Sequence, residues 1–181
     1  MQEPPLGTVC EAMSGGTRAL PIGMFCGRMS LPEIQMPPGP GGAYRGPVIS
    51  YQWRGDFASA EVEALQADGF GRAPADHDWK AQVERHSLGW VCARSGAELA
   101  GFVNVAWDGG VHAFILDTVV ARPLRRHGVG TRLVKVAARE ARADGCEWLH
   151  VDFEDHLGPF YFGCCGFQPT NAGLIRLDDP A

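Results

Sequence analysis

Between Val119 and Thr131 the chain leaves a β-rich run and crosses the basic turn Arg122-Pro123-Leu124-Arg125-Arg126-His127. It then reaches Gly128-Val129-Gly130-Thr131. From there Val129, Leu133, Val136 and Ala137 repeat at helical spacing. A strand that feeds a helix in this way calls for an α/β arrangement. The helix packs its apolar stripe back onto the sheet, and a following parallel strand is reached by a crossover expected to be right-handed. The first turn of a helix has unpaired N–H groups and a partial positive charge. Glycines there let an anion approach the backbone, and Arg125, Arg126 and His127 add positive charge at the same mouth. A diphosphate needs such a site.

The remaining elements read as follows. Val48–Trp53 is a short strand. Ser59 caps a helix whose Val62 and Leu65 share a face, and Asp68-Gly69 stops it. Asp76 caps a second helix bearing Trp79 and Val83. Trp90–Arg94 and Leu99–Trp107 are strands joined by Ser95-Gly96, and Asp108-Gly109-Gly110 turns the chain into Val111–Val120. These three form an antiparallel meander. The long helix runs from about Gly128 to Ala143 and ends at Asp144-Gly145. Trp148–Phe153 is the fifth strand, Pro159–Cys164 a short helix closed by Gly166, and Leu174–Leu177 a last strand.

Two familiar phosphate-binding patterns do not fit the glycine turn. A P-loop places Lys and then Ser or Thr after its last glycine, whereas Thr131-Arg132 follows here. A dinucleotide fingerprint requires a third glycine, and Leu133 stands in its place. What remains is Arg125-x-x-Gly128-x-Gly130. This stretch resembles the Gln/Arg-x-x-Gly-x-Gly/Ala motif of the GNAT superfamily of acetyl-CoA-dependent N-acyltransferases. The element order matches that family over about residues 48–178, and Pro159–Phe167 is similar to its late helix, which commonly ends in Gly-Phe.

The resemblance implies an α/β fold with a mixed, mostly antiparallel sheet, splayed at its middle and flanked by helices. It implies that pantetheine lies along the end of the fourth strand, held by main-chain groups near Val119 and Val120. Amides from Arg126 through His127, Gly128, Val129 and Gly130 to Thr131, with the charge of Arg125, would hold the coenzyme A pyrophosphate. The expected reaction is transfer of an acetyl group from acetyl-CoA to a primary amine by direct attack, without an acyl-enzyme. A catalytically silent acyl-CoA-binding regulatory module and an N-acyltransferase with a longer acyl donor are the alternatives.

Direct transfer needs a base for the acceptor ammonium, a donor for the developing oxyanion and an acid for the leaving thiolate. Asp117, on the fourth strand, is a candidate base, directly or through water; the alternative is a strand carboxylate bound to a neighbouring Arg or the backbone. Asp152, Glu154 and Asp155 crowd the end of the fifth strand. They are candidates to attract a cationic amine, or else form a solvated loop with Asp155 as a helix cap. Many similar proteins carry a late-helix Tyr four positions before the glycine of Gly-Phe, a position held here by Phe162. Tyr161 is one residue earlier, which a regular helix turns by about 100°. Tyr161 is the candidate acid if a one-residue helix bulge or the entry angle set by Pro159 re-aims it; otherwise water protonates the thiolate. Cys164 and Cys165 read as packing residues. The alternation His150, Asp152, Glu154, His156 resembles a ligand set only if the strand continues through it, and no metal is expected.

Composition narrows the class. The formal net charge is −5, with a pI near 5.6, so a general nucleic-acid binder is not expected. No apolar run is long enough to span a membrane. MQEPPLGTVCEAMSGG lacks the basic and apolar segments of a secretory signal, and six cysteines without a C-x-x-C pair read as reduced thiols. A cytoplasmic protein acting on a small-molecule or peptide amine is therefore expected, with a homodimer the assembly common among similar proteins. Residues 1–46 hold 9 of the 24 glycines, 7 of the 13 prolines and all 5 methionines. They read as a disordered Gly/Pro-rich tail ahead of the 47–181 domain.

Overall fold

The computed structural model describes residues 47–177, so the expected tail and the last four residues lie outside the described residues. Five strands form one sheet in sequential order: β1 (Ile49–Trp53), β2 (Ser87–Ser95), β3 (Glu98–Trp107), β4 (His112–Val120) and β5 (Trp148–His150). The first four pair antiparallel, and β5 joins β4 in parallel. The β2–β3–β4 meander is thus as expected. Helix α3 (Val129–Ala143) packs on one face of the sheet, while α1 (Ser59–Phe70) and α2 (Trp79–His86) cover the other.

The stripe expected on α3 is buried. Val129, Leu133, Val136 and Ala137 join Val91, Val103, Ala113 and Ile115 in the larger core cluster. Burying a side chain the size of Leu133 contributes about 1.5–3 kcal/mol. On the opposite face Val62, Trp79, Val83, Phe102 and Val119 form a second cluster.

Helix ends depart from expectation. Ala58, not Ser59, is the N-cap of α1, and the Glu61 carboxylate accepts the Ala58 N–H at 2.8 Å. The Ser59 hydroxyl instead accepts from Lys80 N and donates to Asp78, joining the two helix starts. Gly69 does not stop α1. A Cβ there would come within 2.7 Å of Val119 Cγ2, so glycine is required for the helix to close on β4. Gly71, at φ +65°, ends the helix through its N–H to Ala67 O. Asp78 rather than Asp76 caps α2, accepting from Ala81 N at 3.0 Å. Two further elements differ. β5 stops at His150 because only its three residues face β4, and the expected strand Leu174–Leu177 is irregular and exposed.

Candidate active site

β4 and β5 part company after three residue pairs, His112–Trp148 to Phe114–His150. Beyond them β4 runs on to Val120 while the chain after His150 turns away, and the gap is a cleft of about 640 Å³. Asp117, Val119, Val120, Arg125, Asp152, Glu154 and Tyr161 all line it, together with Gly69 and Phe70 at the end of α1. Asp155 does not line it; it begins a 3-10 turn (Asp155–Leu157) whose N-cap is Glu154, so the expected cap also shifts by one residue.

A β-bulge shapes the cleft wall. Phe102 pairs with Val119 and Asn104 with Leu116, so two residues of β4, Asp117 and Thr118, oppose one of β3. Asp117 takes φ +55°, a left-handed conformation that Asp tolerates better than most residues. Three side chains hold it. Gln66, buried on α1, donates to the Asp117 carbonyl at 2.8 Å, and Asn104 Nδ2 donates to the Asp117 carboxylate at 3.0 Å. The Ser87 hydroxyl fixes Asn104 in turn, donating to its Oδ1 at 2.6 Å. The bulge reverses the phase of the strand. Ala113 and Ile115 pack toward α3, but Val119 enters the α1–α2 cluster and Val120 the α3 side.

At the end of β4 a 3-10 turn (Arg122–Leu124) leads to α3. Arg122 pairs with Asp68 at 2.9 Å and donates to its carbonyl, tying the turn to α1. Arg126 and Gly128 both have positive φ, +64° and +81°. Gly128 is the N-cap, and nothing lies within 4 Å of where its Cβ would be, so the space beside this residue is open. The N–H groups of Val129, Gly130 and Thr131 precede the first helical bond, from Arg132 N to Gly128 O at 3.0 Å. The Val129 side chain itself is core, leaving only its amide for a ligand. Gly130 has a packing reason as well: its Cβ would sit 3.2 Å from Phe160 Cζ. Arg125 reaches back, donating from Nε to Val120 O at 2.9 Å, so one of the carbonyls expected to face pantetheine is already engaged. Arg126, His127, Gly128, Val129, Gly130 and Thr131 lie beside the cleft rather than in its lining.

The late helix is a π-helix, Pro159–Cys165, ended by Gly166 at φ +85°. Within it one aromatic faces inward and its neighbour does not. Tyr161 is buried and packs on Phe153, with ring centroids 4.6 Å apart, and on Phe160. Phe162 is the exposed neighbour. The regular-helix geometry that would turn Tyr161 away does not occur here. Burial pushes the Tyr161 phenol above its ordinary pKa, the Thr118 hydroxyl draws it down, and Cys165 and Asp152 raise it further. The Cys165 thiol is pushed up to about 11 by burial, so it is no thiolate at neutral pH. His156 pairs with Glu154 at 3.3 Å, and both line the cleft. Among the described residues no three His, Cys, Asp or Glu side chains gather as a metal site, and β5 ends at His150, the first residue of that alternation.

Sequence reading missed Gln66, Asn104 and Thr118. Gln66 had a signal: it stands four residues after Val62 on the apolar face of α1, where a polar side chain demands a buried partner.

The model of the acetyltransferase (GNAT) family matches residues 51–167. The chain belongs to the GNAT family. Solved GNAT-fold structures agree. An acetyltransferase from Trypanosoma brucei is 19% identical with a TM-score of 0.61, the match covering 72% of this chain and 99% of that one. Glucosamine-6-phosphate N-acetyltransferase from Arabidopsis thaliana is 16% identical with a TM-score of 0.57, over 71% and 99%. An aminoglycoside N-acetyltransferase in complex with CoA is 16% identical with a TM-score of 0.57, over 74% and 97%. At these identities the likeness to GNAT structures concerns the fold. None of the curated proteins matches the chain in sequence.

Proposed function

We propose that this GNAT protein transfers an acetyl group from acetyl-CoA to a cationic primary amine by direct attack. The observation that carries the reading is the single cleft opened where β4 parts from β5, which is lined by both Arg125, at the approach to the α3 helix mouth, and the buried Tyr161. The residues suit the coenzyme. A glycine-capped helix start offers the amides of Val129, Gly130 and Thr131 to a diphosphate, with Arg125, Arg126 and His127 supplying positive charge. The unpaired side of β4 beyond Phe114, which includes Val119, offers main-chain groups to an extended pantetheine arm.

In this reading Asp152 and Glu154 attract and orient the acceptor ammonium, Asp155 adding to the local negative charge from outside the cleft. Asp117 accepts its proton, directly or through water, so that the neutral nitrogen attacks the thioester carbon. A C–N bond forms and the C–S bond breaks with its electron pair on sulfur. The nitrogen sheds its second proton to solvent as the C–S bond breaks, Tyr161 gives the phenolic proton to that sulfur and recovers one from solvent, and Asp117 releases its proton to solvent. No acyl-enzyme is needed, consistent with a Cys165 thiol held neutral. Two of the similar structures are named as N-acetyltransferases, which supports nitrogen as the acceptor atom.

The test is thiol release from acetyl-CoA by the full chain across primary amines of graded charge. Acetylation of cationic amines ahead of neutral and anionic ones is expected. Tight acetyl-CoA binding without transfer to any amine would make the protein a binding module. Turnover with longer acyl-CoA thioesters alone would reassign the donor.

A further inference from the structure

Thr118 carries the one buried side-chain polar atom among the described residues that has no hydrogen-bond partner. Its Oγ1 is shut off from solvent and unpaired. Such groups are rare, because a buried hydroxyl gives up water without compensation. Valine has nearly the same shape and would fill this place without that cost. The position of Thr118 follows from the bulge. With Asp117 as the extra residue and Val119 turned into the α1–α2 cluster, Thr118 falls on the α3 side of the sheet, the side on which Tyr161 packs. Both residues line the cleft. Hydrogen bonds in an unliganded site are often too long and tighten only around substrate.

We propose that Thr118 is a positioning residue for Tyr161: with substrates bound, its hydroxyl donates to the phenolic oxygen and supports the tyrosinate left when that phenol protonates the departing thiolate. The phenol can accept from Thr118 while donating to sulfur, since its oxygen carries both a proton and free lone pairs. The proton on sulfur comes from Tyr161, the Thr118 proton stays on Thr118, and solvent restores the phenol. The influence of Thr118 on the phenol has the required sign, drawing its pKa down against burial. Cys165 on the same helix and Asp152 after β5 raise the phenol. Lys135 of α3 acts on Cys165. Asp117, Arg125, Glu154 and His156 line the same cleft.

This inference rests on Tyr161 being the acid, and its test is separable from that reading. The full chain is prepared with isotope-labelled tyrosine Cζ, and the Tyr161 resonance is assigned by its loss in Tyr161→Phe. The resonance is followed from neutral to alkaline pH, with and without coenzyme A as the probe. Thr118→Val should move the neutral-pH resonance and shift the titration to higher pH, most clearly with coenzyme A present. Thr118→Ser, which keeps the hydroxyl and loses the methyl, should restore the wild-type behaviour. A Thr118→Val resonance identical to wild type at neutral pH and throughout the titration overturns the proposal. So does a Thr118→Ser variant that behaves like Thr118→Val, which would assign the effect to packing. If instead Thr118 governs the phenol as described but Tyr161→Phe retains full turnover, the proposed acid fails and the pairing stands.

Discussion

Gln66 Nε2 donates a 2.8 Å hydrogen bond to the main-chain carbonyl of Asp117, joining the buried face of α1 to the bulge in β4. This bond holds a non-glycine residue at φ +55° and thereby sets which side chains of β4 face the cleft. Left-handed backbone at such a residue is sustained only where its surroundings over-determine it.

Gln66→Leu keeps the bulk and deletes the donor. The Asp117 carbonyl then loses its side-chain partner, which costs about 1–3 kcal/mol. Urea unfolding should show that loss. Turnover should fall by more than the stability change explains, because the cleft wall shifts; a variant as stable and active as wild type would mean the bulge needs no tether.

Tyr161→Phe removes one hydroxyl from a packed aromatic. Turnover should fall roughly 10²-fold with little change in acetyl-CoA affinity. Wild-type turnover would leave water as the donor to the thiolate.

At the helix mouth, Gly130→Asp places a negative charge where the diphosphate is expected. Acetyl-CoA affinity by calorimetry should drop at least ~tenfold, or about 1.4 kcal/mol. The control is Gly130→Ala, since any Cβ at this position crowds Phe160 at 3.2 Å. If alanine weakens binding as much as aspartate, the glycine serves packing rather than the anion.

Glu63 gives the pH prediction. Its carboxylate pairs with Arg72 and accepts from Ala75 N at 2.6 Å and from Trp79 Nε1 at 2.8 Å, which holds its pKa at about 2. The folded pKa lies below the unfolded value of about 4.5, so the contribution to stability is complete above that value. It is lost as pH falls toward about 2. Thermal melts should therefore lose stability progressively below about pH 5, and Glu63→Gln should flatten that slope while lowering stability at neutral pH. An unchanged slope would mean that other carboxylates govern the acid limb.

Much of this architecture was legible because it follows from periodicity. The stripe from Val129 to Ala137 is strictly helical, and the meander alternates between clear turn residues, so both fold as read. The caps were less legible. Asp76 and Asp78 are chemically equal N-caps, and the choice between them depends on where the Glu63 network holds the 72–79 connection. Gly69 and Gly71 both resemble stop signals, but one is a packing contact with Val119 and the other takes the left-handed turn. The bulge at Asp117 left no local mark at all, since its causes, Gln66 and Asn104, lie on other elements. The π-helix is similar: nothing in Pro159–Cys165 distinguishes it by spacing, and in it Tyr161 is buried at the cleft while Phe162 is exposed.

Chain length, and not only residue choice, is thus written into the cleft. Were β4 one residue shorter at the bulge, the strand would keep an unbroken alternation from Ala113 to its end. The residues after the gap would nevertheless keep their sides: Thr118 would stay toward α3 and Val119 under α1. What would go is Asp117 itself, with the carbonyl that Gln66 meets and the carboxylate that Asn104 meets, so two buried amides would lose those partners. A single-codon deletion would take the candidate base from the cleft wall while leaving both faces of the strand as they are.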